Sequence, residues 1–98
     1  MKTNNLTDLI DQATGPSRAL DQAVSDILSV PLRDYSSSVD ACLSVIHERL
    51  PTAHWHVGRA DDGVSMYATL TNGRHRAEST NVTVPLALLK VISQALKH

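Results

Sequence analysis

Phenylalanine is absent from this chain, which holds one tryptophan, two tyrosines and one cysteine in 98 residues. A core without Phe has to be built from Leu, Val, Ile and Ala, with Trp55 as its largest piece. A single cysteine, Cys42, excludes an intrachain disulfide and fits a reducing cytosol. No apolar run approaches the ~18 residues of a membrane span. None follows the Met-Lys-Thr-Asn-Asn start in the way a secretory signal requires. Chemical signatures are missing too. There is no Gly-rich loop to cradle a phosphate, no Gly-x-Ser-x-Gly elbow, no Cys-x-x-Cys and no helical His-x-x-x-His pair. These absences predict a soluble, cytoplasmic, non-enzymatic protein with no cofactor, no metal and no catalytic residue.

What is present suits one domain spanning residues 1–98. A chain of this size buries roughly two-thirds of its unfolded surface, so each large apolar side chain counts. The net charge of −1 argues against a dedicated duplex-DNA binder, which carries a basic excess. The charge is unevenly spread. Residues 1–58 hold four Lys/Arg against seven Asp/Glu, and residues 59–98 hold five against three. Such small offsets steer partners weakly and are screened by salt.

Asp62-Gly63 and Asn72-Gly73 sit ten residues apart, each flanked by alternating apolar and polar positions. Both pairs suit two-residue type I′ hairpin turns, because Gly, Asn and Asp tolerate positive φ. They predict a three-stranded antiparallel meander with strands near 53–59, 63–70 and 73–79. Trp55 and Val57 share one face of the first strand, with His54 and His56 on the other. Val64, Met66, Ala68 and Leu70 claim the core face of the second, leaving Ser65, Tyr67 and Thr69 opposite. In the third, Arg74, Arg76 and Glu78 alternate with His75, Ala77 and Ser79, the polar pattern of an edge strand.

Helical patterns flank the meander. Leu6, Leu9, Ile10 and Ala13 keep the i, i+3, i+4, i+7 spacing of one helix face. Gly15-Pro16 ends that segment, and Ser17 caps the next. There Leu20, Ala23, Val24, Ile27 and Leu28 form the apolar stripe, so residues 5–29 read as a helical hairpin. Residues 31–35 read as a connector, and one serine of Ser36-Ser37-Ser38 as an N-cap. Val39, Cys42, Leu43, Ile46 and Leu50 then share a face until Pro51 stops the helix. The last helix begins near Thr83–Pro85 and carries Leu86, Leu88, Leu89, Ile92, Ala95 and Leu96, with Lys97 and His98 suiting its C-terminus. The expected fold class is α+β: a helical hairpin, then an α-β-β-β-α unit over 36–98. Helices packed on the sheet would make an α/β/α-type sandwich. The N-terminal hairpin either covers the polar sheet face or leaves it bare.

Candidate chemistry is sparse. His54-x-His56 points two imidazoles the same way, as zinc ligands would need, with His75 or His47 as a third. The blander reading, two half-exposed histidines beside a core tryptophan, is the one adopted. Facing a partner, they would make binding depend on pH between about 5 and 8. Cys42 on an apolar helix face is an inert, raised-pKa thiol. Asp61-Asp62 read first as turn residues, and Asn81-Val82-Thr83 as a sequon without consequence in the cytosol. The α-β-β-β-α order is also that of double-stranded-RNA-binding domains. Those grip phosphate with a lysine cluster at the start of the last helix, where this chain has Val84-Pro85-Leu86-Ala87. The binding residues expected are therefore Tyr67, His54, His56, Arg74 and Arg76 on the polar sheet face. An acidic helix face around Asp21 and Asp26 is the second candidate surface.

Several segments together resemble a family of small proteins of tailed phages and prophages, the phage ABA-sandwich domain. They are the opening amphipathic helix followed by Gly15-Pro16-Ser17-Arg18-Ala19-Leu20-Asp21, the stretch Tyr35-Ser36-Ser37-Ser38-Val39-Asp40-Ala41-Cys42-Leu43, the strand carrying Trp55, and the final helix entered through Val84-Pro85-Leu86-Ala87-Leu88. The similarity spans nearly the whole chain, but its motifs are caps, turns and helix faces. Where family members often carry an insertion, this chain has only residues 29–34. The resemblance implies a mobile-element origin, the cytoplasm of a bacterial host, and no catalytic residues. It implies a partner as well: a host defence protein or complex, blocked in the manner of an anti-CRISPR. The alternatives are an oligomeric sponge for a nucleotide signal and a nucleic-acid binder of the dsRNA type. A bare third-strand edge would favour a homo-oligomer.

Overall fold

The computed structural model describes residues 2–96, with side chains from Leu6 onward. Its elements are α1 (Lys2–Gln12), α2 (Arg18–Leu28), α3 (Val39–Arg49), β1 (His54–Arg59), β2 (Met66–Asn72), β3 (His75–Asn81) and α4 (Val84–Ala95). Lys97 and His98, read as favouring the last C-terminus, lie outside the described residues. The α+β class follows directly: four helices and one antiparallel sheet of order β1-β2-β3. No helix among the described residues is long and apolar enough to cross a membrane.

Helix starts are set by hydroxyl caps, as the sequence indicates. Ser17 Oγ accepts from Leu20 N at 3.1 Å, Ser38 Oγ from Ala41 N at 3.1 Å, and Thr83 Oγ1 from Leu86 N at 3.4 Å. Each bond satisfies an amide that has no partner inside its own helix.

The layers are ordered by α4, which packs on the sheet along β2 and β3 and receives α1 and α3 on its other flanks. Three contacts orient it. Ser93 Oγ lies 3.2 Å from Thr7 Oγ1 of α1, the Cys42 Sγ of α3 lies 3.7 Å from Pro85 O, and Ser79 Oγ of β3 donates to Ala87 O at 2.8 Å. At 100° per residue, Leu86, Leu89 and Ser93 therefore turn toward α1 and Ile92 toward α3, while Ala87, Leu88 and Val91 turn toward the sheet. All seven are buried. A helix apolar around most of its circumference suits a central layer, and Lys90, which interrupts it, reaches Asp11 of α1 at 2.7 Å. The N-terminal hairpin thus docks on α4 and its neighbours, and leaves the polar sheet face bare.

Several expectations need correction. Trp55 is half-buried on β1, and Tyr35 in the 31–35 connector, at 1 % exposure, is the largest fully buried side chain. Leu9, expected in the α1 stripe, is 42 % exposed, while Leu6 and Ile10 are buried and Ala13 is partly buried against the core. Val64, expected in β2, is 79 % exposed in the β1–β2 loop. The loop there is longer than a two-residue turn: Ala60 N donates to Ser65 O, leaving residues 61–64 outside the ladder. Asp62 Oδ1 takes Val64 N and Ser65 N, both at 2.8 Å, and Gly63 supplies φ +74. The carboxylate thereby replaces a rung of the ladder, and its three hydrogen bonds hold Asp62 below the usual carboxylate range. In the second hairpin Asn72 pairs with His75, so Gly73 and Arg74 are the central residues. Gly73 has φ +66 and Arg74 does not share the positive sign, the pattern of a type II′ turn and not of type I′. Arg74 consequently sits in the turn and not on the strand.

Asp21 is also displaced from its expected place on an acidic surface. It is 8 % exposed and accepts Ser36 N at 2.7 Å, while Ser36 Oγ accepts Ser17 N at 2.8 Å and donates to Ser17 O at 3.1 Å. This knot ties the start of α2 to the connector, and the polar atoms it buries all have partners. Asp26 stays exposed and accepts from Gln22 Nε2. Of the two aspartates of the second candidate surface, only Asp26 is exposed.

Cys42 behaves as its helix face implies. Burial, reinforced by the Asp21 charge, pushes its thiol up to about 12, and burial also raises Tyr35. Both groups are thus held neutral in the folded chain more firmly than in the unfolded one. Their stabilisation is complete below the unfolded thiol value of about 8.5 and is lost as pH rises toward 12. The urea midpoint is expected to hold from about pH 7 to 8.5 and then fall. Cys42→Ala should make that fall shallower. An unchanged alkaline limb in this variant would remove the thiol from the account.

Candidate functional site: the open face of the sheet

Strand register decides which side chains share the bare face. His54 pairs with Thr71, which pairs with Arg76; His56 with Thr69 and Glu78; Gly58 with Tyr67 and Thr80. These three rows point away from α4, because Trp55, Leu70 and Ala77 form the intervening row against the helix. Four of the five expected residues, His54, His56, Tyr67 and Arg76, are therefore gathered on one surface. Arg74 lies beyond its end in the β2–β3 turn.

Tyr67 has a specific seat. A Cβ placed on Gly58 would come 2.8 Å from Tyr67 Cε2 and 3.1 Å from its Cζ and Oη. The ring thus lies across β1 over the glycine, an aromatic covering backbone that would otherwise be bare. It is half-buried.

Beside the ring is a shallow depression of about 560 Å³ whose walls include Arg59, Asp61, Tyr67, Arg76 and Glu78. Arg76 Nε and Glu78 Oε2 are 3.2 Å apart, with both side chains 62 % exposed. An ion pair so open to water contributes little to stability and is easily exchanged for another partner. Arg59 Nη1 donates to Gly63 O at 3.2 Å, which leans the guanidinium toward the loop.

Sequence reading missed Arg59, Asp61 and Glu78 as parts of this site. Glu78 was recoverable, since residues two apart on one strand share a face, which puts it beside Arg76 whatever the register. Arg59 was not: its parity assigns it to the helix side, and only the end of the strand lets it turn outward. The three serines also proved unequal, with Ser36 buried in the Asp21 knot and Ser38 capping α3.

As for metal chemistry, His54 and His56 do share a face. Among the described residues, however, no group of three or more His, Cys, Asp and Glu side chains is placed to hold an ion. The first turn of α4, the counterpart of the phosphate-gripping turn in dsRNA-binding domains, runs Val84-Pro85-Leu86-Ala87, and its last two residues are buried.

Comparison with known proteins adds no assignment: no family model, no curated protein and no solved structure matches this chain.

Proposed function

We propose that this chain is a non-enzymatic binding protein that docks a protein partner on the open face of its sheet. One observation carries the reading: among the described residues, no helix packs over a three-row polar face with Tyr67 seated at one end and Arg76 exposed at the other. Tyr and Arg are the residue types that most often dominate the energy of an interface. Tyr67 is pre-set over Gly58, so little ordering cost remains when it is covered. The resemblance to phage accessory proteins supports a bacterial defence complex as the partner, with inhibition by occupation of its working surface. Nucleotide capture is the weaker reading, because Asp61 and Glu78 stand in the same depression as Arg59 and Arg76 and oppose an anion. Nucleic acid is weaker still, as the first turn of α4 buries Leu86 and Ala87 and holds no lysine cluster.

The test begins with a partner captured from bacterial lysate, purified and titrated against the chain by calorimetry. Tyr67→Ala and Arg76→Ala are each expected to weaken binding at least about tenfold. Gly58→Ala should weaken it too, by lifting the ring from its seat. Its stability should stay within about 1 kcal/mol of the parent, since the atoms it meets are the far end of a side chain that can swing away. Unchanged affinity in all three variants would exclude this face. Saturable heat from a cyclic or linear dinucleotide would move the assignment to ligand capture.

A further inference from the structure

The outer edge of β3 carries an inference that does not depend on what the open face binds. β3 lies at the edge of the sheet, with β2 on one side. The elements that pack substantially on it are β2 and α4. Its register with β2 runs unbroken from Asn72–His75 to Met66–Asn81. Natural edges are blunted by bulges, prolines, very short strands or charged side chains, lysine above all. This seven-residue edge, His-Arg-Ala-Glu-Ser-Thr-Asn, has no bulge, proline or lysine, and its two charges, Arg76 and Glu78, are of opposite sign.

Hydrogen-bond direction can be assigned along it. A two-residue turn closes on a pair that exchanges both backbone bonds, here Asn72 and His75. Bonds to β2 therefore come from His75, Ala77, Ser79 and Asn81, and the backbone groups of Arg76, Glu78 and Thr80 turn outward. The first hairpin agrees: Ala60 N donates to Ser65 O, as expected if odd residues of β2 bond β1 and even ones bond β3.

We infer that two copies of this chain associate through antiparallel pairing of their β3 edges, on a two-fold axis through Ala77. In that register Arg76 of each copy faces Glu78 of the other as a hydrogen-bonded pair. Both rungs join opposite charges, and the exposed ion pair within each strand is exchanged for two across the seam. Shifting the axis to Arg76 or to Glu78 sets like charges opposite, which disfavours those registers. At the axis itself stand two alanines, small enough for the close approach of a non-hydrogen-bonded pair. The product is a six-stranded sheet with both open faces on one side.

Sedimentation of the full chain decides the matter. A dimer is expected in the micromolar range, and a parent that stays monomeric up to about 0.5 mM overturns the inference. Arg76→Glu and Glu78→Arg, each alone, place like charges on both rungs and should weaken association at least about tenfold. Mixed in equal amounts, the two variants should form a heterodimer. A dimer untouched by either reversal places the interface elsewhere. Amide exchange on the unmodified chain reads the same contact without any variant. Arg76 and Glu78 N–H should gain protection as concentration rises, while Ala77 and Ser79 stay protected at every concentration. Gain at Trp55 and Val57 instead would assign the seam to the β1 edge.

Discussion

Tyr35→Ala is expected to cost about 3–5 kcal/mol, the range for deleting a buried aromatic ring. The ring is almost wholly enclosed, and its hydroxyl donates to Pro31 O at 2.6 Å. Its own carbonyl accepts the Cys42 thiol at 3.2 Å, so the residue ties the connector to α3 by main chain as well as side chain. A domain of this size has only about 5–15 kcal/mol of net stability. The variant should therefore melt on the order of 15–30 °C lower. Tyr35→Phe separates the two contributions: it keeps the ring and should lose only about 1 kcal/mol, the net value of one hydrogen bond. Urea unfolding of both variants makes the check. A loss below about 1 kcal/mol for Tyr35→Ala would mean that the connector is not a core element.

Leu88→Ala should cost about 2–5 kcal/mol, against less than about 0.5 kcal/mol for Val64→Ala. Both residues belong to apolar patterns that claim the core, and hydropathy alone would order neither above the other. Leu88 is buried on the side of α4 that turns toward the sheet, where the sheet below and the helices around α4 restrict collapse into the space left behind. Val64 stands in the 61–64 loop and loses almost nothing to solvent when shortened. Parallel denaturation of the two variants tests the layering directly. Equal costs would contradict α4 as the central layer.

The placement of the candidate site shows how local signals and long-range ones divide. Parity within a strand is a local property, so His54 with His56, and Tyr67 with Thr69, could be put on one face before any fold was known. Arg76 and Glu78 joined them through a register that tolerates a shift of two. Arg74 did not, because the turn is centred one residue later than Asn72-Gly73 suggests. With the centre at Gly73-Arg74 the turn type follows: a type I′ turn would force arginine to positive φ, and the II′ form asks this only of glycine. Asp21 illustrates the opposite case. Nothing in a helix stripe marks one aspartate as buried when its partner is a backbone amide fifteen residues away.

Caps, helix faces, strand alternation and the α-α-α-β-β-β-α order were written in the letters, since each depends on contacts within about one turn of helix or one hairpin. Which helix lies at the centre, which sheet face stays open, and which connector residue fills the core were settled by packing. Those outcomes turn on how several half-apolar surfaces compete for one another across the whole chain. No window of neighbouring residues contains that competition.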